Sequence, residues 1–151
     1  MRHQNKVRQT DIIFRLYSQV CTQEFMEALR KFQSAEFKDY NDYLKKYGAT
    51  SQKPAYTSVN MVAAFFEGIG ILLRRRLVNI ELVDDLFSSD IIITWHKMKP
   101  LVEGWRRQFN QPSISEWFEY LHNEMQRREG QSETKEQTQG KSLRTVFSVL
   151  N

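Results

Sequence analysis

An all-α fold, a compact bundle of about six or seven helices around a central buried helix pair, is what this sequence predicts, and three observations predict it. Gly and Pro are sparse, six and three in 151 residues, which argues against turn-rich β architecture. Apolar residues recur at helical spacing in segment after segment, with capping residues between them. The single β-branched run, Ile91–Ile92–Ile93–Thr94, has no partner strand elsewhere in the sequence, so helix is the better reading there as well.

Each element can be justified in chain order. Residues 1–9 are polar and basic, a terminus or the exposed first turns of a helix. From Thr10 the pattern sharpens, with Ile12, Ile13, Leu16, Tyr17 and Val20 on one face and a start at Thr10 or as early as Asn5. After a break near Cys21–Thr22, a helix over Thr22–Gln33 directs Phe25, Met26, Leu29 and Phe32 inward. Ser34 is expected to cap a third helix, Ala35–Tyr47, packed through Phe37, Tyr40, Tyr43, Leu44 and Tyr47. Lys45 and Lys46 in its last turn suit the helix dipole, and Gly48 supplies a stop.

Residues 49–56, with Pro54, read as a loop. Thr57 or Ser58 then caps a central helix that runs to about Arg76. Val59, Met61, Val62, Phe65, Phe66, Ile69, Leu72 and Leu73 leave so little polar face that nearly all-round burial is expected. Gly68 and Gly70 would each cost about 1 kcal/mol relative to Ala in a helix interior, which points to a backbone or ring approaching closely. Leu77 and Val78 are expected to close the helix end against the core. Asn79 caps a short helix, Ile80–Phe87, and Ser88–Ser89 mark a break. A long helix through Trp95 and Trp105 follows to about Phe109, kinked or broken before Pro100. After Asn110–Gln111–Pro112, Ser113 caps a last helix through Arg128, with Glu116 completing a capping box and Ile114, Trp117, Phe118, Leu121 and Met125 facing the core.

A chain of this length suits one domain, residues 1–128. Ten Phe, six Tyr and three Trp supply bulky core material. Residues 129–151 read as a flexible polar tail. Its end, Ser142–Asn151, carries Leu143, Val146, Phe147 and Leu150 at helical spacing and either docks on the domain, binds a partner or stays without structure.

Composition also narrows function. The net charge of +4 is mild, and the excess is spread along the chain rather than concentrated as in a nucleic-acid-binding face. A single cysteine, Cys21, excludes an internal disulfide framework and a Cys-based zinc site. The first twenty residues carry charges throughout and lack a signal-peptide pattern. The most apolar run, Val59–Leu73, falls short of the roughly 20 residues of a bilayer span, so no transmembrane segment is expected and a soluble, cytoplasmic protein is.

No catalytic, cofactor-binding or metal-ligating set is assigned. Gly68–Ile69–Gly70 lacks the third glycine of a dinucleotide fingerprint and sits inside a helix rather than after a strand. Glu119 and His122 stand at the i, i+3 spacing of helical di-iron sites, but those sites need a second such pair and two further inward carboxylates. The arginine cluster Arg74–Arg75–Arg76, together with Arg106–Arg107, carries the candidate partner-binding residues. Consecutive helical arginines point about 100° apart, so they cannot form one flat patch. Their first expected role is to complement the helix end and to form structural ion pairs with Asp84 or Asp85 across the short connection. The outward members compete as contacts to phosphate or anionic lipid.

Phe66–Glu67–Gly68–Ile69–Gly70, Leu73–Arg74–Arg75–Arg76–Leu77–Val78, Val83–Asp84–Asp85–Leu86–Phe87 and Trp95–Pro100 together resemble a prokaryotic family of small all-helical proteins of unknown function, some with an N-terminal membrane helix. The likeness covers roughly residues 20–125. It implies an all-helical fold and no particular reaction. The leading expectation is therefore a non-enzymatic helical protein-interaction or regulatory module, binding another protein or its own copy. Binding of nucleic acid or an anionic membrane surface through exposed arginines is the alternative, and a helical metal-dependent enzyme comes third.

Overall fold

The computed structural model describes the backbone of residues 2–48 and 53–131 and the side chains of residues 4–48 and 57–131. Among these residues the fold is all-helical, with α1 (Arg2–Val20), α2 (Gln23–Ser34), α3 (Tyr40–Tyr47), α4 (Lys53–Arg74) and α5 (Ile80–Gln108). A sixth helix, α6, occupies residues 116–131. The rest of the expected tail, including Ser142–Asn151, lies outside the described residues.

Local chemistry sets most boundaries. Thr22 ends the α1–α2 break by accepting the Phe25 amide on its hydroxyl at 3.3 Å, an N-cap. The third helix starts at Tyr40 rather than Ala35. Asp39 caps it, accepting the Asp42 amide at 2.9 Å, while Asp42 accepts the Lys38 amide at 3.0 Å. This reciprocal pair is a stronger start signal than Ser34. It leaves residues 35–37 free to place the Phe37 ring 5.3 Å from that of Tyr43. The central helix begins four residues before Thr57, with Pro54 in its first turn, where a missing N–H costs nothing.

The largest departure is α5, a single helix of 29 residues with Pro100 inside it, where a short helix, a serine break and then a second helix were expected. Val83, Phe87, Ile91, Thr94, Trp95, Met98, Leu101 and Val102 form one unbroken buried stripe. Two serines cost only about half a kcal/mol each in a helix, whereas each large apolar side chain buried along that stripe contributes about 1.5–3 kcal/mol. The stripe outweighs the break signals. The α4 helix is also less enclosed than its composition suggests: Met61 and Ile71 are exposed, and so is Leu77 beyond its end, while Val78 is buried. By length and composition alone Thr57–Arg74 is apolar enough to cross a membrane. In this fold its Val59, Val62, Phe66, Ile69 and Leu73 belong to the core.

That core is organised as a chain of rings. Among α1 to α5, α2 and α4 pack most extensively against each other, and Phe25 meets Phe65 with centroids 4.6 Å apart. Phe65 in turn touches Phe66 and Phe87. Phe66 stacks on Phe118 at 4.9 Å, and Phe118 meets Trp95 edge-on at 5.0 Å. Tyr17 joins the series through Phe87. One run of aromatic contacts thus ties α1, α2, α4, α5 and α6 together.

Glycines allow two of the close approaches. A Cβ on Gly104 would sit 2.2 Å from the Tyr40 ring. A Cβ on Gly70 would sit 2.1 Å from the Trp117 carbonyl oxygen, so the first turn of α6 rests directly on α4. Gly68, two residues earlier, has nothing within 4 Å of where its Cβ would be. The two glycines should respond oppositely to substitution in urea or thermal unfolding. Gly70→Ala should destabilise by about 2–3 kcal/mol through forced backbone separation, while Gly68→Ala should stabilise by up to about 1 kcal/mol. Equal effects at the two sites would contradict the seating of α6 on Gly70.

Candidate partner-binding site

The end of α4 places three side chains together by helical geometry. Ile71, Arg74 and Arg75 stand at i, i+3 and i+4 and therefore share a face. The helix stops because Leu77 donates its amide to the Leu72 carbonyl and Arg76 to the Leu73 carbonyl, both at 2.9 Å, the Schellman pattern. Arg76 adopts φ 58° to close it, a left-handed conformation that costs a non-glycine residue about 1 kcal/mol. The Gln9 side chain from α1 donates to the Arg76 carbonyl at 3.3 Å.

Opposite this end lies the start of α6, which is held from outside itself. Ser113 and Glu116 make a backbone contact but no reciprocal side-chain cap. The first-turn amides, which have no acceptor within the helix, are met instead by Glu67 from the middle of α4. Its Oε2 accepts the Phe118 amide at 2.7 Å, and the Trp117 amide lies near enough to favour the charged carboxylate as well. Burial raises the Glu67 pKa above the usual carboxylate value; the two amides and Arg106 oppose that rise, while Glu116 adds to it. Arg106 secures the turn between α5 and α6, donating from Nε to the Ile114 carbonyl at 2.9 Å and from Nη2 to Glu119 at 2.8 Å.

These contacts fix Trp117 beside the α4 end, and Ile71, Arg74, Arg75 and Trp117 line a cavity of about 360 Å³. Arg74, Arg75, Arg76 and Arg107 are exposed, and Arg106 is half-buried. Among the described residues neither a hydrogen bond nor an ion pair engages the guanidinium of Arg74 or Arg75. The expected arginine-to-aspartate corner is not formed. Arg74 and Arg75 face Trp117 at the start of α6, whereas Asp84 pairs with Arg128 near the far end of that helix, Nε to Oδ2 at 2.8 Å. Asp85 is exposed. Sequence reasoning did not name Ile71, Trp117 or Glu67 among the site residues; the signal available was a lone carboxylate in an apolar helix beside two glycines.

The Glu119–His122 pair separates into two unrelated roles. Glu119 is engaged by Arg106. His122 is 5% exposed, with its ring 5.9 Å from Trp95 and 5.2 Å from His96. Its Nδ1 lies 3.2 Å from the Asn123 side-chain oxygen, while Nε2 has no hydrogen-bond partner among the described residues. No group of three or more potential ligand residues is close enough to hold a metal ion among the described residues.

Burial lowers the His122 pKa below the ordinary imidazole value of 6.5, with His96 and Lys99 adding to the effect and the Asn123 contact and Glu119 opposing it. A lowered imidazole pKa means that the unfolded chain takes up the proton first, so stability falls as pH drops below 6.5. The melting temperature of the native protein should therefore fall more steeply than that of His122→Phe between about pH 7.5 and about pH 5. The comparison cancels the titration of Glu67, common to both proteins. Parallel pH profiles would contradict a neutral buried His122.

A family model, the domain of unknown function DUF4760, matches residues 2–125. No curated protein and no solved structure matches the chain. The chain belongs to the DUF4760 family, whose match extends through α1, beyond the region of likeness expected from the central motifs.

Proposed function

We propose that this member of the family is a non-enzymatic helical protein-interaction module, and that Ile71, Arg74, Arg75 and Trp117 form the surface that takes its partner. The observation that carries this reading is the union, in one cavity, of two guanidiniums without a counter-ion among the described residues and two apolar side chains. An arginine already paired must first break that pair, and these need not. Guanidinium presents planar donors suited to a carboxylate, and a Trp beside it is the kind of anchor on which interfaces concentrate their energy. The partner chemistry that fits is a protein segment carrying an Asp or Glu next to a bulky apolar residue. A cytoplasmic setting is part of the proposal.

The nucleic-acid and anionic-membrane alternative draws on the same arginines. It is weakened because Arg106, one of the five candidate arginines, is occupied by Glu119 and Ile114. Phosphate backbones are bound by extended rows of cations with strong salt dependence, and an interrupted row suits them less than a compact two-arginine cavity suits a carboxylate.

Selection of displayed peptides against the full chain separates the readings. Enriched peptides should combine an acidic with an aromatic or aliphatic residue. Arg74→Glu with Arg75→Glu should weaken them at least about ten-fold, roughly 1.4 kcal/mol, while Arg107→Glu leaves them unchanged. Peptides indifferent to the double substitution would overturn the proposal, as would retention on duplex DNA or anionic vesicles with no peptide enriched.

A further inference from the structure

The α1 helix has two apolar faces and the described fold uses one. Ile13 is buried, with Ile12, Leu16 and Val20 packed beside it. On another flank, Val7, Phe14 and Tyr17 stay 58%, 68% and 40% exposed. Val7, Thr10, Phe14, Tyr17 and Cys21 alternate at steps of three and four residues, the a/d repeat of a coiled-coil seam. Cavities flank the seam, one lined by Lys6, Val7, Thr10, Asp11 and Phe14 and another by Gln4, Val7, Arg8 and Asp11, each of about 500 Å³.

We propose that the chain's own residues 142–151 lie along this seam, with Leu143, Val146, Phe147 and Leu150 packed against Val7, Phe14 and Tyr17. The pattern of the occupant fits. Those four residues stand at i, i+3, i+4 and i+7, one heptad of an a/d stripe, which is the separation of Val7 from Phe14. The exit point of the chain fits as well. Near the end of α6, Arg128 is tied to Asp84 on α5 at 2.8 Å. Less than one turn further along α5, Phe87 lies 6.2 Å from Tyr17 on the seam, centroid to centroid.

The described chain therefore ends about two helix diameters, on the order of 20 Å, from the surface to be covered. The intervening residues 132–142 can span up to about 36 Å, so the seam is within reach with slack to spare. Residues 132–141, SETKEQTQGK, contain no apolar side chain that would compete for the same surface. Tethering holds the segment at an effective concentration on the order of millimolar, enough to populate a contact of two helical turns that would be too weak between separate molecules.

The test uses the full chain and its single cysteine. Cys21 is exposed and extends the seam one heptad beyond Phe14. With benzophenone maleimide attached there, illumination should give an adduct within one chain on residues 142–151. Phe147→Asp and Phe14→Asp should each cut its yield at least about five-fold, with helicity by circular dichroism unchanged; Phe14 lies outside the buried core. An adduct joining two chains would overturn the proposal in favour of a second copy on the seam. An adduct confined to residues before 132, no adduct, or a yield unaffected by Phe147→Asp would overturn it equally. None of these outcomes depends on the arginine cavity.

Discussion

The carboxylate of Glu67 on the first turn of α6 is the contact on which the rest of this structure depends. A helix start leaves its first amides without internal acceptors, and here the acceptor comes from another helix. The arrangement works only because Gly70, less than one turn along α4, lets the Trp117 backbone lie where a Cβ would be. Carboxylate and glycine thus act together, one attracting α6 and the other making room for it. Once α6 is seated there, Phe118 falls between Phe66 and Trp95, and Trp117 comes to rest beside Ile71 and the arginines.

Burial of Glu67 carries an electrostatic penalty, expressed as its raised pKa. A charged group in that position is tolerated because the amides and the dipole of α6 compensate it, and because Arg106 anchors the same turn from the other side. This division of labour explains why the arginines of the chain are not equivalent. Arg106 and Arg128 are structural, held by Glu119 and Asp84. Arg74 and Arg75, on a helix end whose carbonyls are already satisfied by the Schellman turn, are left for solvent or a partner.

Much of the architecture was legible in the sequence because it follows from periodicity. The all-helical class, the break before Thr22 and the inward faces of Phe25, Leu29, Phe32, Phe66, Trp95, Phe118 and Met125 come from apolar spacing and capping chemistry alone. The misplacements have a common origin. Ser34, Ser88–Ser89 and Ser113 all looked like helix starts, and in each case a contact distant in sequence or a stronger local signal prevailed. The reciprocal Asp39–Asp42 bonds displaced Ser34, a continuous buried stripe carried α5 through its serines, and Glu67 capped α6 in place of Ser113. The expectation of a close approach at the glycine pair held for Gly70 and not for Gly68, since periodicity cannot say which of two glycines faces a neighbour. The site was harder to read for the same reason: the whole of α5 lies between Ile71 and Trp117 in the chain, and nothing local marks them as neighbours.

Amide hydrogen exchange at Trp117 and Phe118 addresses the central contact most directly. Amides in the first turn of a helix ordinarily exchange fast for want of an acceptor. If Glu67 holds them, both should be protected nearly as well as the core of α5 in the native protein, and both should become fast in Glu67→Ala while the α5 core stays slow. Fast exchange at Phe118 in the native protein would show that α6 is seated by something else, and the account of the arginine cavity would fall with it.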